Sequence, residues 1–328
     1  MMKSPFTGGK VVLVREESEL TFRKEPFRYM HLSYQCVDTG ERFTTTDIDE
    51  INLLQVYNRY RVKYGIPFPD EIRQLRQMYG LSAAKMSEIL GFGNNQYRLY
   101  ENGDMPSEAN GKILGSIRQP EIFRAFVENA GNQFEGKEYA GIVAKLDKAI
   151  ERNMPDVRER LVFETYGRGE WNGYAPQSYV RLKNVVLYFL QKCGDTFTTK
   201  MNKLLFYADF YSYKTRGYGM TGLAYKAIQF GPVPVRWDRV YSLLDDVCTE
   251  EVVFPSGNYG TQLCPLSLPD IACFSAADLR VLDQVVLRFK GMSAAGISEL
   301  SHEEDAWLHY RDSNGMIDFI EAFTLKAL

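Results

Sequence analysis

Two groups of residues have types and spacings suited to chemistry. On a helix over 94–101, Asn95, Gln96 and Arg98 share an outward face. Gln and Asn amides pair with adenine edges and Arg with guanine or phosphate, so this face suits contact with duplex DNA. The second group, Lys203, Asp209, His302, Glu303, Glu304 and Asp305, holds enough acids and bases for general acid–base work. Its spacing argues against that use: no second histidine stands at the i+4 position of a helical zinc-protease motif. A reciprocal cap accounts for Ser301 and Glu304 without chemistry, and Gly231-Pro232 lacks the glycine series and Lys-Ser/Thr of a phosphate cradle. No catalytic residue is assigned, and a hydrolase built on the acidic and histidine cluster is the lesser alternative.

The first face needs helices to hold it. Residues 71–79 carry Ile72, Leu75 and Met78 on one side, with Asp70 as a cap and Gly80 as the stop. Ser82 caps a short helix through Leu90, Gly91-Phe92-Gly93 turns, and Ala84, Ile89, Leu99 and Tyr100 hold the helices together. The plainer reading is a small helical hairpin with ordinary polar surface residues. The run 81–91, followed by Tyr97-Arg98-Leu99-Tyr100-Glu101-Asn102-Gly103 and Pro106, resembles the Cro/repressor-type helix-turn-helix of many antitoxins. That resemblance implies that Ser82 opens the positioning helix and that Asn94 to Arg98 begin the reading helix. Ser82, Lys85, Asn94, Asn95, Gln96 and Arg98 are then the expected DNA-binding residues.

Composition sets bounds on the rest. A chain of 328 residues, 45% hydrophobic and 25% charged, has room for two or three globular domains. No apolar run reaches membrane-spanning length and the first residues carry no secretion-like hydrophobic segment, so a cytoplasmic location and no membrane partner are expected. A net charge of −3 excludes a nonspecific coat for nucleic acid but permits a local reading head, with affinity raised by a homodimer. The five cysteines, Cys36, Cys193, Cys248, Cys264 and Cys273, form no CxxC pair and read as reduced thiols.

Short strands are expected over 10–14, 20–27 and 29–35, and a helix capped by Thr46 or Asp47 carries Ile51, Leu54, Tyr57, Tyr60 and Tyr64. With Ser4-Pro5-Phe6-Thr7 before the first strand and Cys36-Val37-Asp38-Thr39-Gly40 after the last, the segment resembles the zinc ribbon of MqsA-type antitoxins. The positions matching that family's four thiolates are Ser4, Thr7, Cys36 and Thr39. One thiolate cannot close a tetrahedral zinc shell, so neither a metal nor any other cofactor is expected. Apolar residues would hold the ribbon instead.

Further helices are expected over 107–117, from Pro120 and over 138–151. Residues 165–177 change character, with Gly167, Gly169, Gly173 and Pro176 among Tyr166, Trp171 and Tyr174. Beyond lie helices over 178–191, 200–213 and 235–246, with Thr198 capping the second. An extended stretch ends at Gly231-Pro232-Val233-Pro234, and a small hairpin turns across 256–260. Ser275 with Asp278 resembles a reciprocal cap.

Lys203-Leu204-Leu205-Phe206-Tyr207-Ala208-Asp209, Gly222 through Tyr225, Gly231-Pro232-Val233 and Leu300-Ser301-His302-Glu303-Glu304-Asp305-Ala306-Trp307 resemble the Panacea domain, also called SocA-like or DUF4065. The family motif falls on Lys203, Tyr207, Asp209, Tyr225, Gly231, Pro232, His302, Glu304 and Trp307. The resemblance implies an antitoxin that neutralises a cognate toxin by direct contact and, with the early helices, regulates its own operon through operator double-stranded DNA. A transcriptional regulator unrelated to toxicity, or a proteolytic adaptor, is the alternative. Trp171, Tyr174, Tyr213 and Tyr218 are candidate toxin anchors, lying in or near glycine-rich surroundings. The expected architecture is multidomain and mainly α: a degenerate ribbon over 1–47, a helix-turn-helix domain over 48–118, a helical connector over 119–164 and an α+β Panacea-like domain over 165–328.

Overall fold

The computed structural model describes residues 2–152, 157–163, 167–194, 196–254 and 257–328; of the stretches 165–177 and 256–260 discussed above, Thr165, Tyr166 and Ser256 lie outside the described residues. The fold is mainly α with small antiparallel sheets, in two compact units: residues 1–55 with 156–328, and residues 56–155. The first segment belongs to the same unit as the C-terminal half, and the expected connector belongs with the helices before it.

Strands β1 (Val11–Phe22) and β2 (Glu25–Cys36) make one long antiparallel hairpin, and β3 (Arg42–Phe43) pairs with Tyr34 and Gln35. Arg23 and Lys24 both take positive φ, 49° and 72°, which gives a two-residue turn the twist its strands require. The expected strand over 20–27 is thus the two sides of that turn. Helix α1 (Thr46–Tyr64) begins behind Thr45, whose Oγ1 accepts from the Ile48 N–H at 3.4 Å, so neither Thr46 nor Asp47 is the cap. Two buried amides on α1 complete the hydrogen bonding of β2. Asn52 accepts from the Leu32 N–H and donates to its carbonyl, both at 2.9 Å, and Gln55 does the same at Met30, at 3.0 and 2.9 Å. A free strand edge is thereby satisfied by side chains.

In the unit of residues 56–155, helices α2 (Pro69–Met78), α3 (Ala83–Ile89), α4 (Gln96–Glu101), α5 (Glu108–Ser116), α6 (Pro120–Asn129) and α7 (Gly136–Arg152) follow one another. Ser82 caps α3 and Ser107 caps α5, while Gly80 and Gly91 take the positive φ that ends a helix. Phe68 rather than Asp70 is the residue before α2, and Glu71 reaches back to its N–H at 2.8 Å. Ile72, Leu75, Met86, Tyr97 and Leu114 share one buried cluster with Phe123, Val127, Ile142 and Leu146. The apolar stripes of α6 and α7 therefore belong to this core. Ala84 and Leu99, expected inside, lie on the surface.

The C-terminal half opens with α8 (Val157–Val162), then α9 (Tyr179–Cys193), β4 (Thr196–Phe197) and α10 (Thr198–Arg216). Strands β5 (Tyr225–Ile228) and β6 (Gly231–Pro234) pair with each other, and β7 (Val247–Val253) and β8 (Tyr259–Pro265) join β4 in the order β4-β8-β7. Helices α11 (Ala276–Phe289), α12 (Ala294–Ser301) and α13 (Asp305–Leu308) complete the half. Helix α10 is buried along most of its length; Tyr207 stacks on Phe289 at 4.4 Å and Phe210 on Phe319 at 4.5 Å. Ser178 caps α9, and Ser275 with Asp278 forms the expected reciprocal cap of α11. Phe197, not Thr198, precedes α10. The helix expected over 235–246 is replaced by turns and one 3₁₀ turn, Tyr241–Leu243. Val235 N–H continues the pairing to the Ala224 carbonyl, and buried Tyr241 donates to Asn202 Oδ1 at 2.6 Å, so tertiary contacts override the local pattern.

Candidate functional site

Side chains able to act gather in the helical unit, at the hairpin end and in the C-terminal half. In the helical unit, Ser87 Oγ accepts from the Tyr97 N–H at 3.0 Å and Tyr97 donates to the Ile72 carbonyl at 2.8 Å, fixing α4 against α3 and α2. Asn94, Asn95 and Arg98 are exposed and Gln96 is half-buried. Asn95 precedes α4 in the left-handed conformation, φ 62°, and makes no side-chain cap. Arg98 and Asn95 line an open groove of about 460 Å³ with Arg73, Arg76, Ser82 and Asn102. Arg76 is held by Glu101 at 2.6 Å, and Arg73 donates to the Glu101 carbonyl at 3.0 Å. Lys85 does not belong to this face. Its ammonium sits 2.6 Å from both Glu88 and Glu138 and 4.4 Å from the centre of the Phe134 ring, so its charge is already spent within the protein.

At the hairpin end, Ser4 and Cys36 are buried, and Thr7 Oγ1 lies 3.5 Å from Cys36 Sγ. Side-chain hydrogen bonds from Ser4, Thr39 and Thr7 outweigh burial and bring the thiol down to about 6. The four positions singled out from the sequence therefore do meet. They form a cluster of hydroxyls around one thiol.

In the C-terminal half the motif residues are brought together by α10, the β5–β6 turn and the α12–α13 corner. Lys203 is buried and donates to the carbonyls of Phe230 and Pro232 at 2.7 and 2.9 Å; burial lowers its pKa to about 7. Asp209 is enclosed and accepts from the N–H groups of Met220 and Thr221 at 2.6 and 2.7 Å. Its other oxygen takes the hydroxyls of Thr221 and Tyr225 at 2.5 and 2.6 Å. Burial raises its carboxyl above the usual range, against those four bonds. Glu304 is also buried and raised by burial; it accepts from the N–H groups of Lys326 and Ala327 at 2.8 and 3.0 Å and from Tyr207 at 3.3 Å. The reciprocal cap expected from Ser301 and Glu304 is not made. Ser301 ends α12 and donates to the Ser298 carbonyl at 2.7 Å, while the carboxylate of Glu304 ties down the chain after Leu325.

His302 stacks on Trp307 with ring centres 4.3 Å apart, and its Nε2 is enclosed without a hydrogen-bond partner among the described residues. Burial and neighbouring Lys203 lower its pKa. Trp307 donates to the Ile228 carbonyl at 2.7 Å, and Arg311 lies 5.3 Å from the centre of its ring. Lys203, Asp209 and Glu304 thus belong to three separate hydrogen-bonded sets: Lys203 and Glu304 are engaged mainly with main chain, and Asp209 equally with main-chain N–H groups and hydroxyls. An open cleft of about 600 Å³ is lined by Ile228, Gln229, Phe230, Trp307, Arg311, Asp312 and Asn314; of the three buried groups, Lys203 touches this lining, through the Phe230 carbonyl.

Among the four aromatic candidates, Tyr174 and Tyr213 are only 4% and 5% exposed. They are core residues and offer no surface to a partner; Tyr213 packs edge-on against Phe319 at 5.6 Å. Trp171 and Tyr218 are 38% and 36% exposed, the latter beneath Arg216 at 4.7 Å. The sequence reading passed over Arg311, Asp312 and Asn314. The available signal was that Arg311 follows Trp307 by four positions, a spacing that places a guanidinium over an aromatic ring on a helical turn.

Residues 201–308 match the family described as antitoxin SocA-like, Panacea domain. No curated protein matches the chain, and no solved structure does. The matched segment holds the β5–β6 turn, most of α10 and the α12–α13 corner, and with them Ile228, Gln229, Phe230 and Trp307 of the cleft, while Arg311, Asp312 and Asn314 lie beyond it. No helix among the described residues is long and apolar enough to cross a membrane.

Proposed function

We propose that this chain is the antitoxin of a type II toxin–antitoxin pair, acting without catalysis: it neutralises a protein toxin by direct contact and represses its own operon as a DNA-bound homodimer in the cytoplasm. The observation that carries this reading is the antitoxin SocA-like, Panacea match over 201–308. The cleft of Phe230, Trp307 and Arg311 supports it, because aromatic rings and arginine beside a concavity are the residues that dominate protein interfaces. The α3–α4 region, with Asn94, Asn95, Gln96 and Arg98 at the surface, supports a helix-turn-helix role on DNA, and a two-fold dimer would present that face to two half-sites. The meeting of Ser4, Thr7, Cys36 and Thr39 supports descent of the hairpin from a zinc ribbon that has lost its metal.

The test is co-purification of the adjacent gene's product with the full chain and with a Trp307→Ala/Arg311→Ala variant. The reading expects a complex with the parent and at least a tenfold weaker one with the variant. Equal complexes would remove the cleft from the interface.

A further inference from the structure

The β7–β8 hairpin carries a second group of thiols, unrelated to the Cys36 cluster. Cys248 and Cys264 are direct partners in its ladder, and Glu250 lies two residues beyond Cys248, on the same face and diagonal to Cys264. The two Sγ atoms and a carboxylate oxygen of Glu250 all lie within 4.8 Å of one another. The opposite face of the sheet turns Val247 and Leu263 into the core, so the thiol face is the outer one. Cys248 and Cys264 are half-buried and Glu250 is exposed, which leaves a path from solvent.

We propose that Cys248, Glu250 and Cys264 bind one thiophilic divalent cation of the zinc class, with the fourth position taken by water. Two thiolates select a soft or borderline cation over magnesium or calcium. Tetrahedral zinc, with bonds of about 2.0–2.3 Å, needs its donors roughly 3.5 Å apart, so any closure these three require is at most about 1.3 Å, within reach of side-chain rotation. Each thiol gives up its proton as its sulfur becomes a ligand, so binding releases up to two protons to solvent. The cation joins neighbouring strands at one cross-strand pair and fixes the hairpin's register. The Cys36 cluster, with one thiolate among three hydroxyls, lacks this capacity.

The full chain, reduced and stripped with a chelator, is titrated with cobalt(II) and then with zinc(II). One cobalt per chain with thiolate-to-cobalt charge-transfer absorption is expected, bleached by one equivalent of zinc. Cys248→Ser/Cys264→Ser abolishes the absorption, Glu250→Gln weakens binding about tenfold, and Cys36→Ser leaves both unchanged. In the parent chain, zinc slows alkylation of Cys248 and Cys264 and of no other cysteine, a readout independent of how the variants fold. Absence of the absorption, its survival in the double variant, or equal alkylation of both thiols with and without zinc overturns the proposal.

Discussion

A side chain at Gly231 would collide with Lys203: a Cβ built there lies 2.6 Å from the Lys203 Nζ, 2.8 Å from Ser301 Oγ and 3.1 Å from His302 Nε2. Gly231 also takes φ +95°, a conformation that side chains other than glycine's disfavour. Both effects act in one direction, so Gly231→Ala should destabilise the protein by about 2 kcal/mol or more. Urea unfolding of the full chain measures this. Parent-like stability would mean that the β5–β6 turn is not held by Lys203 as described.

Asp278 provides a pH signature. Burial raises its carboxyl, but Arg181 at 2.8 Å, Arg216 at 2.7 Å and the Ser275 N–H at 2.8 Å outweigh burial and hold it well below the usual carboxylate range. Because the folded carboxyl ionises more readily than the unfolded one, its contribution is complete above about pH 4 and is lost as pH falls further. Asp278→Asn should cost about 3 kcal/mol at pH 7, by stranding two partly buried arginines. It should also flatten the loss of stability below pH 4. A parent-like acid limb in the variant would contradict the assignment.

For DNA, Gln96→Ala/Arg98→Ala should weaken binding to the upstream operator at least tenfold, since a base-edge pair is worth about 1–3 kcal/mol. It should also reduce the dependence of log K on log salt by about one unit if Arg98 meets a phosphate. Lys85→Ala should change affinity less than twofold, because Glu88 and Glu138 already neutralise that ammonium. Gel-shift titrations over a salt series distinguish these outcomes. The reverse ranking would move the reading face to α3.

The hairpin cluster is testable by restoring thiols. In a Cys248→Ser/Cys264→Ser background, Ser4→Cys, Thr7→Cys and Thr39→Cys together should create a tetrahedral site holding one zinc per chain, and further substitution of Cys36→Ser should reduce its affinity at least tenfold. Failure of the triple variant to take zinc would show that the four positions do not share ligand geometry.

Local signals in the sequence disclosed much of this and missed what depends on distant partners. Ser82, Ser107, Ser178 and Ser275 announced helix starts correctly because a cap is decided within four residues. Ser301 carried the same local signal and misled, since Glu304 is claimed by Lys326 and Ala327, more than twenty positions away. The pairing of Asn52 and Gln55 with β2 left no mark in the pattern, because a buried amide reads as a polar surface residue until its strand is present. Tyr174 and Tyr213 illustrate a related point: glycine-rich surroundings suggest exposure, yet both side chains are enclosed, Tyr213 against Phe319 and Phe323. The motif residues Lys203, Asp209 and Glu304 were legible as types, but their engagement with main chain was visible only in three dimensions.

The most direct test of the central claim is growth of cells expressing the adjacent gene with and without this chain. The account predicts that the neighbour's product arrests growth, that co-expression of the full chain restores it, and that the two proteins purify as a complex. Arrest that persists undiminished beside abundant soluble chain, with no complex formed, would contradict it.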